Sequence, residues 1–268
     1  MRKNSIKEKL SRNELTLGTW ITIGNPDVAE IVAWAGFDWM IFDMEHAPLD
    51  ISLVESMAQA VSSAPTPAIV RVPWNDPVYV KRALDLGVSG VMIPYVNDRE
   101  EALRAVKSTK YPPAGFRGVA PRRASLYGIE WDAYLRKAND RLLVALQVET
   151  VDAVKNVEDI LSVDGIDVAF VGPLDLSFSA GFPAKTTHPR VQSLIRRVAE
   201  ACESAGIRSG IHSPVDQIGH YAEMGFKFIA TGGDTDFLLD GAKAAVRAKE
   251  EALRRPVHPG KRKSASTA

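Results

Sequence analysis

The chain has 268 residues, 46% of them apolar and 25% charged, the balance of a globular protein able to bury a large core. Lysine plus arginine and aspartate plus glutamate number 33 each, so no bulk field favours a nucleic acid backbone or an anionic membrane as partner. The single cysteine, Cys202, excludes an internal disulfide and a cysteine-based metal site.

From Met1 the chain runs through a polar amphipathic segment with no long apolar stretch, so neither a signal peptide nor a membrane span is expected, and the expected location is cytoplasmic. Leu17 to Ile23 is the first near-continuous apolar run. Asn25-Pro26 then opens a helical pattern that stops at Gly36, and Trp39 to Phe42 follows as a second run. Ile51, Val54, Met57, Ala58 and Val61 recur at helical spacing before the third run, Pro67 to Val72. Asp76-Pro77 opens a helix ending at Gly87, and Gly90 to Ile93 follows. A stiff loop from Tyr111 to Gly118 continues to Tyr127-Gly128, with Arg117, Arg122 and Arg123 along it as acid binders or as solvated surface residues. Leu142 to Val148 and Val168 to Val171 are the fifth and sixth runs. Val191, Leu194, Ile195 and Val198 mark a helix before Ile207 to Ile211. Ser213-Pro214 opens the last repeat, which stops at Gly225 and feeds Phe228 to Ala230.

Each of the three proline-opened helices has a capping side chain, Pro at its first position and Gly beyond its end. Apolar runs alternating with helices imply crossover units and a parallel sheet. Eight of them predict a closed (β/α)8 barrel, a TIM barrel in the α/β class. An open doubly wound sheet is the weaker alternative, because no Gly-rich phosphate fingerprint follows the first run. One domain is expected over 1–253. The stretch 254–268, from Arg254-Arg255 to Lys261-Arg262-Lys263, is expected to be a basic, flexible tail.

In such a barrel the chemistry sits at the C-terminal ends of the strands. The second ends in Asp43-Met44-Glu45-His46, and alternation puts Asp43 and Glu45 on one inward face. An Asp beside a His can fix its tautomer for general-base work, while a capping cluster is the structural alternative. Arg71 ends the third strand and suits a carboxylate or a developing enolate, or an ion pair with Asp43 or Glu45, or both. Gln147 and Glu149 share a face at the end of the fifth strand, and Asp175 follows the sixth. Glu149 and Asp175, on adjacent strands, suit a hard divalent cation, with a capping role for Asp175 as the competing reading. Gly172 and Leu174 can offer backbone N–H groups to a carboxylate where Pro173 cannot.

In order and spacing these pieces resemble the HpcH/HpaI aldolase family over roughly residues 5 to 250. The matching stretches are Gly18-Thr19-Trp20, Phe42 to His46, Val70 to Pro73, Leu84 to Gly87, Tyr111-Pro112-Pro113 with Gly115 to Gly118, Gln147 to Thr150, Gly172-Pro173 and Asp175 to Ser177. The resemblance implies a class II pyruvate aldolase of aromatic or sugar-acid catabolism. Glu149 and Asp175 would hold Mg2+, Mn2+ or Co2+, and pyruvate or another 2-oxo acid would rest its carboxylate near Gly172, Pro173 and Leu174. Arg71 would support the enolate and His46, oriented by Asp43, would move protons. Glu45 and Gln147 would order the waters around the metal. It further implies a homo-oligomer, commonly a hexamer exchanging a terminal helix, in which Asp85 reaches a neighbour's site. Trp20 and His212 would lie near the aldehyde end, His212 standing where an apolar residue is expected. The rivals are a CoA-ester lyase of the citrate or malyl-CoA type and a non-catalytic barrel. A Schiff-base aldolase is disfavoured because Lys227, the lysine beside a strand, precedes its strand.

Overall fold

Strands that are apolar on both faces need cover on both sides. The computed structural model, which describes residues 4–254, supplies it by closing eight parallel strands into a barrel in the order β1 to β8. They are β1 (Thr16–Ile21), β2 (Trp39–Asp43), β3 (Ala68–Arg71), β4 (Gly90–Ile93), β5 (Leu143–Gln147), β6 (Val168–Val171), β7 (Arg208–His212) and β8 (Phe228–Gly233). All eight predicted runs are strands. The helices are α1 (Ser5–Ser11), α2 (Pro26–Ala33), α3 (Ile51–Ala60), α4 (Pro77–Asp85), α5 (Arg99–Thr109), α6 (Trp131–Arg141), α7 (Val151–Lys155), α8 (Val157–Leu161), α9 (Pro173–Ser179), α10 (Pro189–Ala205), α11 (Ile218–Glu223) and α12 (Asp234–Arg254).

Alternation divides the core in two. Met40, Phe42, Val70, Val91, Val144 and Leu146 face outward against the helices. Trp39, Ile41, Ile69, Met92, Phe170 and Phe228 fill the barrel, where Ile6 and Leu10 of α1 join them. Trp39 stacks on Phe228 at 3.7 Å with the rings nearly parallel, and its Nε1 donates to Thr16 Oγ1 at 3.1 Å. Helix α1 is fastened to strand beginnings. Asn4 Nδ2 donates to the carbonyls of Ser89 and Arg141, and Arg208 Nε donates to the Leu10 carbonyl at 2.8 Å.

The proline-and-glycine grammar holds twice. Asn25 and Asp76 cap α2 and α4 through their side chains, and Gly36 and Gly87 take positive φ just beyond the ends. The third instance departs from expectation. After Pro214 the chain makes a 3₁₀ turn, Val215–Gln217, and α11 begins only at Ile218. Ser213 is fully buried, its hydroxyl donating to the Pro214 carbonyl and its own carbonyl accepting from Thr231, so it is tied to the strand rather than to a helix.

The chain divides into two units, Met1–Asp234, which holds the barrel, and Thr235–Ala268, which holds nearly all of α12. The boundary expected at 253 falls within the second. Beyond Arg254 the expected basic tail lies outside the described residues. Among the described residues no helix is long and apolar enough to cross a membrane.

Gly18 is the tightest point of the interior: a β-carbon there would run into the Trp39 ring. Gly18→Ala should therefore lower stability by about 1–3 kcal/mol through overpacking. Gly219→Ala, on α11 with open space around it, should be neutral or slightly stabilising. Urea unfolding midpoints of the two variants check this; equal midpoints would contradict it.

Candidate active site at the barrel mouth

Register places the first pair. Asp43 of β2 and Arg71 of β3 are direct neighbours at their strand ends. Arg71 Nε and Nη2 donate to the two oxygens of Asp43 at 2.9 and 2.7 Å, the planar fork matching the planar carboxylate. Nη1 lies 3.0 Å from Glu45 Oε2. All three side chains are nearly dry. The Trp20 ring covers the guanidinium at 4.4 Å, and Trp20 Nε1 donates to His212 Nδ1 at 3.0 Å. Because Nδ1 accepts, a neutral His212 carries its proton on Nε2.

Asp43 does not bond the His46 imidazole. Its Oδ1 accepts from the backbone N–H groups of Glu45 and His46, at 3.0 and 3.3 Å, and the rest of its capacity goes to Arg71. His46 is exposed, and its ring has no hydrogen-bond partner among the described residues. Asp43 thus shapes the turn that carries His46, through the backbone.

Across the mouth, Glu149 extends past β5 and is almost fully buried. Its Oε1 accepts from the Tyr95 N–H at 3.0 Å and its Oε2 from Gln147 Nε2 at 2.5 Å. Burial pushes the Glu149 carboxyl up to about 7. The Tyr95 N–H opposes that rise, Glu45 and Asp175 add to it, and Arg71 lowers it. Glu45 is likewise raised, chiefly by burial, with Arg71 and His46 opposing. Asp175 sits in the first turn of α9, half-buried, with no hydrogen bond or ion pair among the described residues.

Gly172 lies between the two acids. The point where its β-carbon would stand is 2.8 Å from Glu149 Oε2 and 3.4 Å from Asp175 Oδ2. The missing side chain leaves a cradle that both carboxylates reach. Among the described residues no three His, Cys, Asp or Glu side chains converge as a metal cage. Two carboxylates with room for waters are nonetheless the donor set of an Mg2+- or Mn2+-type site. One orphaned acceptor supports the fit: Gln147 Oε1 is buried without a hydrogen-bond donor among the described residues. Asp43 and Glu45 share the Arg71 guanidinium, Glu149 and Asp175 add two more acids, and a divalent cation would offset the excess.

Asp85 is not part of this cluster. It ends α4, which runs back from the mouth toward the start of β4, and it pairs with the buried Arg117 at 2.8 Å. Sequence reasoning missed Tyr95 and Trp74, whose rings lie 5.7 Å apart. It also missed Asp234, whose carboxylate accepts from Thr22 and Ile23 and ties the end of β8 to the end of β1. The strand end Ile93-Pro94-Tyr95 reads as apolar, and a donating backbone N–H leaves no mark in a sequence.

Comparison with known proteins bears on this geometry. The family model described as HpcH/HpaI aldolase/citrate lyase matches residues 16–241. A 4-hydroxy-2-oxo-heptane-1,7-dioate aldolase of Salmonella dublin is 42% identical over 245 residues, covering 90% of this chain and 93% of that protein. A crystal structure of an HpcH/HpaI aldolase/citrate lyase family protein from Burkholderia cenocepacia J2315 superposes with a TM-score of 0.89 at 37% identity, covering 92% and 99% of the two chains. A citrate lyase beta subunit from M. tuberculosis shares the fold with a TM-score of 0.55 at 15% identity, covering 84% and 94%.

The raised Glu149 carboxyl has a signed consequence. The folded chain holds this proton more tightly than the ordinary 4.5, so without divalent cations the contribution of Glu149 to stability is full at acid pH and is lost as pH rises through about 7. In thermal melts with EDTA between about pH 5 and 8, the wild type should lose stability relative to Glu149→Gln, whose amide does not titrate. Parallel curves would contradict the assignment.

Proposed function

The chain belongs to the HpcH/HpaI aldolase/citrate lyase family and is an aldolase, a carbon–carbon lyase, and from that premise we propose that it joins and cleaves pyruvate, or a related 2-oxo acid, and an aldehyde at the mouth of the barrel. The carrying observation is the convergence of Glu149 and Asp175 on the cradle at Gly172, with Asp175 accepting from no donor among the described residues. These two residues would hold Mg2+, Mn2+ or Co2+. When bound, such a cation supplies Lewis acidity that draws electrons from a keto oxygen and acidifies the adjacent methyl group.

The protein's own groups do the rest. The Leu174 N–H opens a helix and has no intrahelical acceptor, so with Gly172 it would receive the substrate carboxylate, while Pro173 has no N–H to offer. Arg71, fixed by Asp43 and Glu45, would donate to the oxygen where negative charge develops. His46, exposed at the start of its loop, would take the proton from the substrate hydroxyl in cleavage and return it in addition. Gln147 steadies Glu149, and its unpaired Oε1, with Glu45 beside Arg71, would order the waters around the cation. Trp20 and His212 would wall the aldehyde side. The relative's name points to a 4-hydroxy-2-oxo acid as substrate class. A homohexamer would let Asp85, remote from the mouth of its own chain, approach a neighbour's.

Glu149→Ala should abolish Mn2+ binding in calorimetric titration. Arg71→Ala should keep that binding but release pyruvate from 4-hydroxy-2-oxo acids about a hundredfold more slowly, or worse. Wild-type turnover in both variants would overturn the assignment.

A further inference from the structure

The loop after β4 runs Pro94-Tyr95-Val96-Asn97. Tyr95 takes φ +52°, the left-handed region that residues with a β-carbon avoid. Strain of this kind persists only where the surroundings over-determine it, and it gathers at functional sites. Here the surroundings are specific. Asn97 Nδ2 donates to the Tyr95 carbonyl at 3.0 Å, and Thr150 Oγ1 donates to Asn97 Oδ1 at 2.5 Å. Asn156 Nδ2 donates to the Asn97 carbonyl at 2.8 Å, and the Val96 N–H donates to the Gln147 carbonyl at 3.2 Å. Asn97 thus ties the loop to Thr150, the residue after the buried acid, and to Asn156, while Val96 ties it to Gln147, two residues before that acid. What the strained conformation delivers is the Tyr95 N–H, aimed at Glu149 Oε1 at 3.0 Å.

We propose that Tyr95 is a positioning residue: its left-handed backbone, locked by Asn97, holds the Glu149 carboxylate in the orientation that receives a divalent cation. The inference rests on the cation site proposed above. A glutamate side chain turns about three bonds, and a dry one with no fixed donor has several orientations open to it. Tyr95 on Oε1 and Gln147 on Oε2 fix the plane of the carboxylate while leaving each oxygen a lone pair. The donor is backbone, so the side chain at position 95 matters through the conformation it permits.

That distinction is testable by substitution. Glycine accepts the left-handed region freely, whereas a β-branched residue resists it. The experiment titrates Mn2+ into the full-length wild type, Tyr95→Gly, Tyr95→Val, Asn97→Ala and Glu149→Gln by calorimetry, with circular dichroism in EDTA to show that each is folded. Tyr95→Gly should bind Mn2+ within about twofold of the wild type, and Tyr95→Val should bind about tenfold or more weakly, the usual loss when a ligand's supporting contact goes. Should the valine variant fail to fold, Asn97→Ala, which keeps Tyr95 but frees its loop, should also weaken binding by about tenfold. The proposal is overturned if the folded valine variant binds like the wild type, if the glycine variant binds as weakly as the valine one, or if freeing the loop changes nothing. No Mn2+ binding by the wild type would bring down the cation site itself, a result distinct from these.

Discussion

The mouth of this barrel is organised around the guanidinium of Arg71, buried between Asp43 and Glu45 and roofed by Trp20. A buried charge is stable only when paired and hydrogen-bonded, and here register does the pairing, because β2 and β3 align Asp43 with Arg71 before any side chain moves. Breaking that alignment would leave three ionisable groups dry and unmatched. The bidentate contact follows from it, and the short turn through Glu45 and His46 is fastened to the same Asp43 carboxylate.

Charge then divides the mouth. On the β2–β3 side positive and negative groups nearly balance. On the β5–β6 side two carboxylates face one another across a glycine, with no cationic side chain paired to either among the described residues. Burial makes Glu149 resist ionisation. A hydrated divalent cation would suit such an arrangement, and the buried Gln147 Oε1 is an acceptor its waters could use. In the proposed reaction a carboxylate-bearing substrate would meet backbone donors on α9 and the guanidinium opposite.

Much of this was legible in the sequence because it is written in side chains. Near-continuous apolar runs gave the strands, and period-two alternation put Asp43 with Glu45 and Gln147 with Glu149 on shared faces, as the contacts show. The ion-pair reading of Arg71 holds, with both Asp43 and Glu45 as partners. What stayed hidden depends on backbone geometry. Tyr95 carried no sequence signal, yet its backbone N–H donates to Glu149. Asp43 looked like the partner of an imidazole, yet it bonds the N–H groups of its own turn. Ser213 looked like a helix cap, but the pull of β8 on its carbonyl and its burial delay the helix. Asp85 matched a pattern while its helix carried it away from the mouth of its own chain.

The central claim is that this mouth acidifies the methyl group of a 2-oxo acid with the help of a cation held at Glu149 and Asp175. The most direct test needs no knowledge of the aldehyde: incubate the protein with pyruvate and Mg2+ in D2O and follow the pyruvate methyl signal by proton NMR, with and without EDTA. The account predicts loss of that signal at a rate set by the protein, stopped by EDTA. A persistent methyl signal in a folded, Mg2+-loaded sample would contradict it.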